Sequence, residues 1–196
     1  MKQGKKNGGL TIHQMVEKFD EGPILLRKEV SITKNDVLGT HVDCVAQQAP
    51  AGIDALFNYL QNGVGSLTDQ LEEGVAYYSR PSTADLTIDW SAMDSVGIES
   101  LVHAANPNYQ GAVTMFRSTS VYFYEVEAVH LDEPPSEEPG TIVDAPGNPN
   151  LYILCRDSAC LWVKVASVSN GVFTGERLRE IFNVKSGEKF QSPSNL

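Results

Sequence analysis

Apolar and polar positions alternate over residues 24–32: Ile24, Leu26, Val30 and Ile32 share one face, while Leu25, Arg27, Glu29 and Ser31 share the other. A period of two is the mark of a half-buried strand. Lys28 interrupts the apolar face, which puts this strand at a sheet edge. The run Leu10 to Met15 predicts a shorter strand before it, and Lys18-Phe19-Asp20-Glu21-Gly22-Pro23 predicts the loop between the two. The period then changes. Val42, Val45, Ala46, Ala49, Ile53, Leu56, Phe57 and Leu60 mark one face of a helix. Pro50 cannot donate an N–H, so the helix kinks or splits there. Asn62-Gly63 ends it with a pair that tolerates left-handed backbone.

Residues 63–82 are polar and turn-rich and read as a linker. Beyond Asp85 to Trp90, an amphipathic helix carries Val96, Ile98, Leu101, Val102 and Ala105 and stops at Asn106-Pro107. Strands dominate afterwards. Ala112 to Phe116 and Val121 to Leu131 form a hairpin across Arg117-Ser118-Thr119-Ser120, and Thr141 to Val143, Leu151 to Cys155 and Cys160 to Val168 add three more strands. Residues 132–139 form a solvated loop. Thr174 caps a last helix whose apolar stripe is Leu178, Ile181 and Phe182. Residues 185–196 read as a polar tail. Five short strands with two peripheral helices predict a small OB-like barrel.

Composition changes this picture in three ways. The chain has 196 residues, 41% of them hydrophobic, enough for one good core or two small ones. No apolar run approaches the roughly 20 residues that span a bilayer. The basic N-terminus lacks the apolar stretch of a signal peptide, so a cytoplasmic protein is expected. Formal net charge is −10, and from Pro81 onward seven Lys plus Arg face fifteen Asp plus Glu, 7 − 15 = −8. Phosphate backbones repel such a surface, which weighs against a nucleic-acid grip by the C-terminal region. Three cysteines fit a reducing compartment better than a disulfide framework. Cys155 and Cys160 flank a four-residue turn and read as two small buried thiols. No second Cys/His pair lies at ligand spacing, so no metal site is expected.

Asp20 is the leading candidate for chemistry. A carboxylate on a loop between strands, followed by Gly22-Pro23, can orient a neighbouring imidazole and favour its protonated form. Asp in a turn also commonly bonds its own backbone. His13, in a strand, reads as a packed or hydrogen-bonded residue, and His41, His103 and His130 share no ligand spacing. No nucleophile elbow or phosphate loop occurs.

The stretch Gly9-Leu10-Thr11-Ile12-His13-Gln14-Met15, followed by Asp20-Glu21-Gly22-Pro23-Ile24-Leu25, resembles the strand–loop–strand signature of the folate-dependent formyltransferases. Ile88-Asp89-Trp90, Asn106-Pro107, Gly111-Ala112 and Pro139-Gly140 stand in the positions of that family's C-terminal domain. The resemblance runs from Gly9 to about Phe182. It implies transfer of a formyl group from 10-formyltetrahydrofolate, as co-substrate, to an amine. It makes Asp20 the Asp that tunes a catalytic His, and Val16, Glu17, Lys18, Phe19 and Asp20 the loop lining the folate pocket. In family members the His and a catalytic Asn lie upstream of this motif, and His13 occupies a strand position of its own. With only Met1 to Gly8 ahead of the signature, the chain alone is expected to be inactive.

The fold expected is therefore α+β. Residues 1–62 form a remnant of a Rossmann-like formyltransferase domain, two strands plus a helix. A linker over 63–82 leads to an OB-like barrel over 83–184 and a tail over 185–196. The acceptor implied is a nucleotide amino sugar or methionyl-tRNA; the acidic C-terminal region tilts toward the small amine. A non-catalytic acidic binding module is the alternative. Exposed strand edges over residues 9–60 predict a homodimer.

Overall fold

The computed structural model describes residues 6–71, 76–131, 136–145 and 147–193. The chain divides into two compact units, Lys5–Arg80 and Pro81–Leu196.

In the first unit, strand β1 (Asn7–His13) pairs antiparallel with β2 (Ile24–Ser31), from Asn7 opposite Ser31 to His13 opposite Ile24. The expected long helix is two helices, α1 (Leu38–Ala46) and α2 (Ala49–Asn62). The break falls at Gln47-Gln48, which leaves Pro50 in the first turn of α2, where its missing N–H costs no helical bond. Gly63 closes α2 in the left-handed conformation, φ 63°. Gly52 sits where α2 crosses β1: a Cβ there would lie 2.8 Å from the Ile12 side chain. The apolar face of the helices is only partly covered, since Val42, Ile53, Phe57 and Leu60 are 49–67% exposed. Periodicity identifies an apolar face but not what covers it. The polar stretch after α2 is no free linker. Thr68 bridges to Ile24 through hydrogen bonds of 2.7 and 2.9 Å, because its extended backbone satisfies the outer edge of β2.

The second unit opens with a 3₁₀ turn, Ala84–Leu86, and helix α3 (Ser95–Ala105), whose N-cap Asp94 accepts from Gly97 N–H at 2.7 Å. Ile98, Leu101, Val102 and Ala105 are buried, whereas Val96, expected on the same stripe, is exposed. Strands β3 (Ala112–Phe116) and β4 (Thr119–Val129) meet in a tighter hairpin than expected. Arg117 and Ser118, with φ of 46° and 65°, make a two-residue turn whose twist suits antiparallel strands. Then come β5 (Ile142–Ala145), β6 (Asn148–Leu154), β7 (Cys160–Val168), β8 (Gly171–Thr174), helix α4 (Gly175–Ile181) and β9 (Phe190–Gln191). Thr174 caps α4 as expected, accepting from Arg177 N–H at 3.2 Å. Of the loop expected over 132–139, residues 132–135 lie outside the described residues.

The sheet runs β5-β6-β7-β4-β3-β9, with β8 beside β7. Its two ends meet. Ile142 N–H donates to Glu188 C=O at 2.8 Å, Gly187 N–H to Ile142 C=O at 2.8 Å, and Phe190 N–H to Gly140 C=O at 2.9 Å. A nearly closed barrel results. The expected polar tail over 185–196 is thereby corrected: residues 187–191 are the barrel's closing segment. One apolar residue among polar ones suffices for this. Phe190 is 2% exposed and its ring lies 4.9 Å from that of Phe116, 5.6 Å from Phe123 and 6.3 Å from Trp90. The second motif set also serves this core. Ile88 and Trp90 are buried, Trp90 Nε1–H donates to Thr114 Oγ1 at 2.9 Å, and Asn106 Nδ2 donates to Tyr124 C=O at 2.8 Å. Gly111 has φ 83°, and a Cβ there would fall 2.3 Å from Phe123 O.

Candidate functional site

The loop joining β1 to β2 carries every site residue that the sequence singles out. Gln14 N–H donates to Pro23 C=O at 2.9 Å and closes its neck. Gly22 is buried in that neck, and a Cβ on it would lie 1.7 Å from Gln14 O, so no other residue fits. Asp20 is left-handed at φ 57°, a conformation that Asp enters more readily than most residues. The turn throws its carboxylate outward, where the side chain is 94% exposed.

That carboxylate faces an imidazole, that of His13 on the last position of β1. His13 Nε2 stands 3.4 Å from Asp20 Oδ1, and His13 Nδ1 stands 3.1 Å from Gln14 O. Both neighbours are acceptors, so only a ring protonated on both nitrogens donates to both at once. Beside this contact the register shifts by one residue between Ile12 and His13, leaving Leu25 of β2 out of the pairing.

Residues 16–20 stand out from the hairpin. Val16 is 46% and Phe19 94% exposed, with Met15 beside them at 88%. Single exposed apolar side chains are common, but here three fall on one short loop. Glu17 is exposed too, and Lys18 Nζ pairs with Glu21 Oε2 at 3.1 Å, so the loop carries one cation and three anions, Glu17, Asp20 and Glu21. Gln70 is the residue that sequence reasoning missed. Its Nε2 donates to Asp20 C=O at 2.6 Å and to Gly22 C=O at 2.7 Å. A glutamine in a polar stretch some fifty positions away carries no local signal.

The remaining candidates sort simply. Cys155 and Cys160 are free and buried. Burial pushes both thiols up, with Asp157 adding to the effect, Cys160 to about 11 and Cys155 further, so neither is a nucleophile at neutral pH. Lys164 on β7 is drawn between Glu127 at 2.9 Å and Glu125 at 3.7 Å, and hydrogen bonding to Glu127 raises its pKa. That cation is thus committed within the barrel's own acidic surface. Among the described residues no three His, Cys, Asp or Glu side chains group as metal ligands, and no helix is long and apolar enough to cross a membrane.

Residues 1–55 match the family model for formyl transferase, and residues 81–172 the model for its C-terminal domain. The chain belongs to the formyltransferase family. It is similar to the methionyl-tRNA formyltransferase of Aromatoleum aromaticum, 31% identical over 96% of this chain and 58% of that protein. The methionyl-tRNA formyltransferase of Halothermothrix orenii is 26% identical over 95% of this chain and 59% of its own length. The chain thus spans under two thirds of these curated relatives.

Solved structures share the fold. HypX from Aquifex aeolicus, in complex with tetrahydrofolic acid, superposes with a TM-score of 0.71 at 14% identity, over 98% of this chain and 35% of that one. An N-formyltransferase from Helicobacter canadensis, complexed with folinic acid and dTDP-3-aminofucose, gives 0.61 at 14% identity, over 83% and 57%.

Proposed function

We propose that this chain serves formyl transfer from 10-formyltetrahydrofolate to an amine, supplying the folate-lining loop, Asp20 and the C-terminal barrel. The observation that carries the reading is the loop itself. In a chain of this family it holds Asp20 on a left-handed turn opposite an imidazole and presents Val16 and Phe19 to solvent. The amine attacks the formyl carbon, and the C–N bond forms as the carbonyl electrons move onto oxygen. The tetrahedral intermediate then collapses with departure of the folate nitrogen, which takes up the proton lost by the amine. Preorganised donors stabilise the oxyanion. By resemblance to the family, Asp20 tunes the upstream His that shuttles the proton, a residue distinct from His13. His13 holds its own strand position, and the family's Asn and His act in addition to it.

The acceptor we favour is a small amine such as a nucleotide amino sugar, because the region from Pro81 onward carries −8 and its Lys164 is already paired. Methionyl-tRNA is the second reading, favoured by the names of the relatives. A cytoplasmic setting, with three free thiols, belongs to the same proposal. So does a homodimer, supported by the outer edge of β1 and by the exposed Val42, Ile53, Phe57 and Leu60.

Calorimetric titration with 5-formyltetrahydrofolate tests the site. Phe19→Ala should weaken binding about 10-fold or more, since burying an aromatic side chain contributes roughly 1.5–3 kcal/mol. Its side chain is 94% exposed, so the fold should not suffer. Absence of binding by the intact chain at millimolar folate overturns the reading. In an assay of 10-formyltetrahydrofolate turnover, the amine that supports formyl transfer names the acceptor.

A further inference from the structure

A loop that projects a carboxylate into solvent needs something to fix its backbone, and neither β1 nor β2 supplies it beyond the neck. Between Gln14 and Pro23, the carbonyls of Asp20 and Gly22 converge on one nitrogen, Nε2 of Gln70, at 2.6 and 2.7 Å. The amide carries two hydrogens, so it can satisfy both acceptors at once. Gln70 is itself anchored. Two residues before it, Thr68 makes a two-way backbone bridge with Ile24, the first residue of β2. The strap over residues 67–70 thus runs beside the base of the loop and delivers its amide to the turn, and Leu67 and Gln70 are the half-buried positions on it. Asp20 has φ 57°, a conformation that costs free energy for any residue with a Cβ, so the turn persists only if neighbours over-determine it.

We propose that Gln70 is a positioning residue. By bridging the Asp20 and Gly22 carbonyls it holds the left-handed turn that sets Asp20 against His13 and keeps Val16 to Phe19 arranged for the folate. The effect on folate rests on the reading of this loop as the folate site; the effect on the turn does not.

The test uses the full chain with three variants. Gln70→Glu keeps the size but offers two carbonyls an ionised acceptor. Gln70→Lys restores a donor that reaches both. Asp20→Asn removes the charge facing the imidazole. The first readout is the His13 ring resonances at fixed pH: Gln70→Glu should reproduce most of the displacement caused by Asp20→Asn, and Gln70→Lys should return them toward wild type. The second is exchange of the Gln14 amide, which should speed several-fold in Gln70→Glu while the barrel amides stay unchanged. The third is binding of 5-formyltetrahydrofolate, which two lost hydrogen bonds should weaken between about 5- and 100-fold, with recovery in Gln70→Lys. Wild-type His13 signals and wild-type Gln14 exchange in Gln70→Glu overturn the proposal, whatever the folate does. If those two readouts move as expected but the wild-type chain binds no folate, the folate site is overturned while Gln70 keeps its role in the turn. Equal loss in Gln70→Glu and Gln70→Lys overturns the donor bridge.

Discussion

Replacing Phe190 by alanine should destabilise the barrel out of proportion to its place in a polar stretch. The ring is 2% exposed and contacts three aromatic partners, Phe116 at 4.9 Å, Phe123 at 5.6 Å and Trp90 at 6.3 Å between centroids. Truncating a buried phenylalanine costs about 3–5 kcal/mol, and loosely coupled aromatic pairs add about 0.5–1.5 kcal/mol each only where the site cannot collapse. A domain of this size has about 5–15 kcal/mol in all. A loss of about 4 kcal/mol at a urea slope near 2 kcal/mol/M lowers the midpoint by roughly 2 M. Both tryptophans, Trp90 and Trp162, lie in the barrel, so their fluorescence follows this unit. Phe190→Leu should recover most of the loss by refilling the volume. Val172→Ala, at a position 63% exposed, should stay within about 0.5 kcal/mol of wild type. A midpoint for Phe190→Ala within about 0.5 M of wild type, with unchanged slope, would refute the assignment of β9 as the closing strand.

Gly22→Ala places a methyl group 1.7 Å from Gln14 O and should cost about 1–3 kcal/mol locally, read as faster exchange of the Gln14 amide; unchanged exchange would show that the neck is loose. Under native conditions at pH 8, a thiol reagent should modify Cys44 alone, because Cys155 and Cys160 are buried and Cys160 is pushed up to about 11; three equivalents without denaturant would contradict that burial. Arg117 grips Glu188 with Nε–H at 2.8 Å and Nη2–H at 2.6 Å, and this hydrogen bonding holds the Glu188 carboxyl below its usual range. A carboxyl lowered in the folded state stabilises above its unfolded pKa, and that contribution disappears as pH falls through the folded value. The stability gap between wild type and Arg117→Met should therefore narrow as pH drops from 6 toward 3, and a gap that widens would reverse the sign. Amides of β1, β2 and α2 should exchange faster than those of β4 and β7, since among the described residues no large side chain of the first unit is fully buried; equal protection in both units would count against a weak first unit.

Much of the barrel was legible because its elements are amphipathic in the ordinary way. Ile98, Leu101 and Val102 repeat at helical spacing and are buried, and the strands at 112–116, 151–154 and 160–168 fall where β-branched residues cluster. Reading failed where one long-range contact overrides a polar neighbourhood. Phe190 sits among Lys, Glu, Gln and Ser, and its burial depends on partners more than sixty residues away. Gln70 depends on carbonyls 48 and 50 residues away. No local period encodes either. At the candidate site, the loop that carries Asp20 between two strands was legible from its turn residues. The pairing of Asp20 with His13 was not, since it is a contact across the loop that alternation alone does not reveal.

The two units divide the work along physical lines. The barrel buries a continuous core from Ile88 to Phe190 and satisfies its own closure, so it needs no ligand to be rigid. Among the described residues of the hairpin unit the buried positions are Gly22, His41 and Gly52, small or polar residues that permit close approach but contribute little apolar burial. Such a unit is held by point contacts: the Gly22 neck, the Thr68 bridge and the Gln70 amide. Each fixes geometry at a place where hydrophobic packing would be indifferent to it. On the reading proposed above, a folate seated against Val16 and Phe19 would add the missing apolar burial on the face that the loop leaves open. Part of its binding energy would then go into ordering the turn that carries Asp20, so the Phe19→Ala variant and the loss of the Gln70 amide should weaken the same binding event.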